Sequence, residues 1–190
     1  MGLSDNLKKS QISDNEQKLD RQKTQEIRAK MWPEANRLHH EFVNGFTKVL
    51  REAGLKVKTS KHSNAWSGAL ETRIIEGYQV VKTGLLAREQ KVQASLEIRN
   101  PNNLRKRFLE CGYISYKVSL MGIPVNHFFI SLNADWDAST DNSYCKNLSG
   151  RDTSITLYSG FVESLRWNDL DKWENVRRES SIAAFLNRIK

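Results

Sequence analysis

The residues from which a metal centre or a nucleophilic site would be built are four histidines and two cysteines, and their spacing offers neither. His39 and His40 are adjacent, so on a helix their side chains diverge by about 100° and lack the i, i+4 spacing that brings two ring nitrogens to one cation. His62 falls in a polar loop and His127 in an apolar strand, while Cys111 and Cys145 stand apart from each other and from every histidine. The expectation is surface positions for His39, His40 and His62, a half-buried, hydrogen-bonded His127, and neither a metal nor a cofactor. Cys111 continues the apolar face of a short helix and reads as a small core residue.

Carboxylates are the next chemistry-bearing groups. Glu71 and Glu97 lie among alternating apolar residues of two strands, and a divalent-metal nuclease needs acidic oxygens converging on Mg²⁺. In such a site a second carboxylate and a lysine follow closely, whereas Glu71-Thr72-Arg73 and Glu97-Ile98-Arg99 carry arginine, and no Asp occurs between Asp20 and Asp135. Alternation puts both glutamates on the outward face, paired with Arg73 or Arg99 across strands. Asp135, Asp137 and Asp141 match only the start of a calcium loop, without its glycine and closing glutamate. No Gly-x-Ser-x-Gly elbow, phosphate-binding glycine loop or Cys-x-x-Cys occurs.

What remains is lysine and arginine interleaved with aromatics. Lys56, Lys58 and Lys61 line a strand and its exit, Arg105, Lys106 and Arg107 form the exposed side of a short helix, and Trp66, Tyr78 and Tyr116 lie on neighbouring strands. Aromatic faces beside cations can stack bases and bind phosphates together. Lysine on an edge strand also blocks sheet-to-sheet aggregation, and strand aromatics mostly pack in cores. No recognised RNA-binding signature or helix-turn-helix accompanies the pattern.

The elements that hold these residues follow from periodicity. Residues 1–31 have Leu3, Leu7, Ile12, Leu19 and Ile27 too widely spaced for a continuous stripe, so a flexible or partly helical tail is expected. Trp32-Pro33-Glu34 reads as a helix start, and Leu38, Phe42, Phe46, Val49, Leu50 and Ala53 mark one face of a helix over 33–53, stopped by Gly54. Strands are predicted over 55–60, 66–75, 78–86 and 91–99, with Glu76-Gly77 as a tight turn between the second and third. In 91–99, Val92, Ala94, Leu96 and Ile98 face one way. Asn102 or Asn103 caps a short helix carrying Leu104, Phe108 and Cys111 inward before Gly112 ends it.

Two more strands over 113–121 and 125–132 join at Gly122-Ile123-Pro124, and a last one covers 154–164 after a polar loop over 133–153. Asn168 then starts a C-terminal helical stretch, with Ser180 or Ser181 capping a run that aligns Ile182, Phe185, Leu186 and Ile189. The sum is one α+β domain over 32–190, an antiparallel sheet of about six or seven strands covered by helices.

With 190 residues, 38% hydrophobic and 27% charged, the chain has the size and composition of a single soluble domain. No run approaches the roughly 18 apolar residues of a membrane span, residues 1–15 lack a signal peptide's apolar stretch, and two cysteines make no disulfide scaffold. A reducing cytoplasm and no membrane partner are expected. The net charge of +8 is concentrated early, with 13 basic and 8 acidic residues in 1–62 and 9 and 5 in 63–133. Such an excess attracts polyanions. The leading expectation is a non-catalytic module binding nucleic acid or another polyanion through the basic, aromatic-bearing surface. A protein-interaction or homo-oligomerisation factor docking through helix 33–53 or the tail is one alternative, and a metal-dependent nuclease-like enzyme around Glu71 and Glu97 is another.

Overall fold

The computed structural model describes residues 3–63, 71–83, 87–99, 101–132, 154–161 and 174–189. Trp66, the acidic loop with Asp135, Asp137 and Asp141, Cys145 and the Asn168 cap lie outside the described residues. The chain order is α1 (Leu3–Glu52), β1 (Lys56–Ser63), β2 (Glu71–Lys82), β3 (Arg88–Arg99), a 3-10 turn (Pro101–Asn103), α2 (Leu104–Cys111), β4 (Tyr113–Leu120), β5 (Ile123–Leu132), β6 (Ile155–Phe161), β7 (Glu174–Glu179) and α3 (Ile182–Arg188). All seven strands pair with their sequence neighbours, antiparallel throughout, in the order β1 to β7. Among the described residues one core joins the three helices to alternate residues of the sheet on one face, an α+β arrangement.

That core is built by Phe42, Phe46 and Leu50 of α1, as their helical spacing predicts, extended by Ala35 and His39. Phe42 stacks on Phe128 of β5 at 4.3 Å between ring centroids, and Phe128 meets Phe185 of α3 at 4.7 Å, so one aromatic cluster ties both helices to the sheet. Leu38 and Val49 are only partly buried and Ala53 is exposed, which shifts the buried stripe slightly from its predicted line.

The helix does not begin at Pro33: α1 runs through it from Leu3. An interior proline removes one helical hydrogen bond, and flanking contacts offset that loss. Trp32 packs on Phe108 of α2 at 5.8 Å. The buried Arg28 guanidinium donates to the carbonyls of Leu109 at 2.9 Å and Glu110 at 2.5 Å. A cation on the last carbonyls of α2 complements that helix's negative end, and Gly112 takes the left-handed C-cap conformation beside it, at φ 77°.

Glu76-Gly77 is not a turn. The segments read as two strands form one, β2, because Gly77 sits in mid-strand where α1 comes closest, against Leu50 and Leu55. The β2–β3 register slips there, leaving Gln93 without a partner and placing Val92 opposite Tyr78 rather than in line with Ala94. The β4–β5 reversal lies at Met121-Gly122, both with positive φ, and Ile123 and Pro124 already belong to β5. Towards the C-terminus, Glu174–Glu179 is a strand rather than helix, held by pairing with β6. Ser181 caps α3 by accepting from the Ala184 amide at 3.1 Å.

Candidate nucleic-acid interface

The predicted basic residues fall into separate groups. On β1, Lys58 pairs across the ladder with Glu76, so it lies on the face away from the helices, as Lys56 does by alternation. Lys58 Nζ stands 3.2 Å from Glu76, 5.4 Å from the centroid of the Tyr78 ring and 3.3 Å from Gln90 Oε1, to which it donates. These contacts fix Tyr78 and Gln90 on the same helix-free face. Lys56 is exposed and has no ion pair among the described residues. It lies opposite Tyr78 in the register.

Sequence reasoning misses the continuation of this surface. Beyond Tyr78, β2 and β3 run on as a two-stranded ribbon pairing Gln79 with Lys91, Val80 with Gln90, Val81 with Glu89 and Lys82 with Arg88. The Thr83 amide donates to the Ala87 carbonyl at 3.1 Å beyond the last pair. β1 pairs with β2 only as far as Tyr78, and β4 pairs with β3 only from Ala94 onward. Lys82, Arg88 and Lys91 are exposed and make no ion pair among the described residues. Lys82 and Arg88 face each other on the side of Tyr78 and Gln90, while Lys91, opposite Gln79, lies on the other side. The pairing of Lys82 with Arg88 depends on β2 passing straight through Gly77, and the sequence pattern reads that position as a turn.

Lys61 and Glu71 form a second group. Lys61 Nζ lies 3.3 Å from Glu71, which also accepts a hydrogen bond from the Asn102 amide. By alternation with Ile75, Glu71 is on the helix-covered side of the sheet, correcting its outward assignment. Glu97 is on the opposite side, 3.2 Å from Arg99 and 3.7 Å from Lys117. The two glutamates therefore do not converge on one cation. Among the described residues no group of three or more His, Cys, Asp or Glu side chains is placed to hold a metal.

Arg105 and Lys106 are exposed on α2, as predicted, and line an open groove of about 940 Å³ against Gln22, Gln25 and Glu26 of α1. Glu26 and Glu110 balance their charge there. Arg107 is not on the exposed side: it is half-buried and hydrogen-bonded to the Tyr113 hydroxyl. Asn103 occupies the N-cap position of α2 without a side-chain cap bond.

Of the histidines, His39 is buried rather than superficial, and its Nδ1 is hydrogen-bonded to the Tyr116 hydroxyl at 2.8 Å. Burial, with His40 and Arg73 nearby, pushes its pKa down to about 4. Burial also holds the Tyr116 phenol well above its ordinary pKa, so the pair is neutral at pH 7. His127 is buried rather than half-buried, and burial, with Lys117 and Arg99, pushes its pKa down to about 4 against the raising effect of Glu97. His39 sits beside Phe42 at the helix-covered core, whereas His127 lies on the other side of the sheet, opposite Lys117 in the register. No helix among the described residues is long and apolar enough to cross a membrane. No family model, curated protein or solved structure matches the chain, so its functional reading rests on its own residues.

Proposed function

We propose that the protein is a non-catalytic module that binds nucleic acid through the helix-free face at the β1 edge. The observation that supports this is the grouping of an exposed Lys56 with half-buried Lys58 and Tyr78 on one face of the sheet, with further cations on the adjoining ribbon. A base stacked on Tyr78 would leave its phosphates within reach of the lysines. The apolar face of helix 33–53 packs in the core, so the same helix offers no comparable apolar docking stripe.

Two paired variants test the reading against a labelled oligonucleotide. Lys56→Gln/Lys58→Gln weakens binding and lowers its salt dependence, since each lost phosphate contact releases fewer counterions. Arg105→Gln/Lys106→Gln, in the charge-balanced groove, changes binding little. Equal binding by the parent and the β1 variant removes the reading.

A further inference from the structure

The β2–β3 ribbon has a feature that folding alone does not favour. Lys82 and Arg88 are direct cross-strand partners, and like charges placed opposite one another destabilise a ladder. Among the described residues neither makes an ion pair, Glu89 lying on the opposite face of the ribbon, and the strand pairs on this part of the hairpin have no third strand on either side. Every residue of 79–83 and 87–91 is exposed except the half-buried Val81. The ribbon is thus a projecting cationic element, and at its base Lys58 bridges Tyr78 and Gln90.

From this we infer that the ribbon is a double-stranded DNA reader, inserted into the major groove with Lys82 and Arg88 on the flanking phosphates. The inference rests on the nucleic-acid reading above and names its ligand. Charge selects a polyanion, and dimensions select among polyanions. Two strands about 4.8 Å apart, with their side chains, match a B-form major groove about 12 Å wide, which admits a two-stranded ribbon. The A-form RNA major groove is too narrow and deep for one, and a single strand offers no groove. Within the groove, the exposed Val80 is an apolar group of the kind that contacts thymine methyls.

The test compares a B-form DNA duplex, its single strand, a double-stranded RNA of equal length and heparin, using the full chain. The parent should bind duplex DNA roughly tenfold or more tighter than the other three, and should protect guanine N7 from dimethyl sulfate, because that atom lies in the major groove. Lys82→Gln/Arg88→Gln should lose roughly tenfold in duplex affinity and about two units of salt slope, one per phosphate contact. Its thermal midpoint should stay level or rise, because the like-charge pair is gone. Duplex binding unchanged in this variant, or equal affinity for RNA and heparin, overturns the ribbon inference. The nucleic-acid reading survives that result if the β1 lysine variant still weakens binding. Absence of binding to every ligand at low salt overturns both.

Discussion

Gly77 of β2 lies directly against Leu50 of α1: a Cβ at Gly77 would stand 2.7 Å from Leu50 Cδ2 and 2.9 Å from Leu55 Cδ1. This contact lets β2 pass under the end of α1 without turning, and so launches the ribbon beyond it. Gly77→Ala should destabilise the fold by about 1–3 kcal/mol, the usual cost of overpacking. Leu50→Ala vacates that space, so the double variant should cost less than the sum of the two singles. Urea unfolding of the four proteins measures this, and strict additivity would show that Gly77 is not constrained by Leu50.

Phe42 carries the core contact between α1 and the sheet, through Phe128, Tyr116 and Phe185. Phe42→Ala should cost about 3–5 kcal/mol, as truncation of a fully buried phenylalanine does. A loss under about 1 kcal/mol with the fold retained would be incompatible with this packing.

Arg28 ties α1 to the last carbonyls of α2. Arg28→Gln should cost about 1.5–3 kcal/mol, the range for hydrogen bonds made by a charged donor. Deleting residues 1–20 should leave the thermal midpoint nearly unchanged, because Leu19 is 51% exposed and the anchors lie downstream. A truncated chain that melts earlier, or changes its oligomeric state, would make the N-terminal stretch an assembly element.

Acid should loosen the fold through two rings. His39 and His127 each have a folded pKa of about 4, below the ordinary histidine value of 6.5. Between these values the unfolded chain binds more protons, so stability is complete above about pH 6.5 and falls as the pH drops towards 4. Each ring contributes roughly 3 kcal/mol over that interval, at roughly 1.4 kcal/mol per unit. Urea midpoints from about pH 7 to about pH 4.5 should fall, and His39→Gln should flatten the dependence. A parent whose midpoint does not move with pH would exclude buried neutral histidines.

How much of this is legible in the sequence depends on how local the cause is. Phe42, Phe46 and Leu50 recur at helical spacing, and Ala94, Leu96 and Ile98 alternate, so periodicity alone finds the principal core residues. Leu104, Phe108 and Gly112 mark α2 in the same way. Gly77 escapes because its reason is a side chain on a helix distant in sequence, while its neighbours spell a turn. Glu174–Glu179 has no apolar alternation, and only pairing with β6 makes it a strand. Among the site residues, Lys56, Lys58 and Tyr78 are visible as lysines and an aromatic on adjoining strands. Lys82 and Arg88 become neighbours only once β2 is continuous.

Removing the like charges from Lys82 and Arg88 should leave the folded ribbon no worse, since a directly opposed like-charge pair costs roughly 0.2–1 kcal/mol. Thermal melting of Lys82→Gln/Arg88→Gln checks this at low salt, where the repulsion is least screened. A markedly lower midpoint would mean that the two cations stabilise the hairpin.

The central claim is that the β1 edge and its ribbon form one phosphate-binding surface, and the slope of log affinity against log salt reads it most directly. For the parent on a labelled DNA duplex, affinity should fall steeply between about 50 and 200 mM salt. In the variant neutralised at Lys56, Lys58, Lys82 and Arg88, the slope should shrink by about 0.9 per lost contact, or roughly 3 to 4 in all. A parent that does not bind at about 50 mM salt, or a variant with the parental slope, would contradict the account.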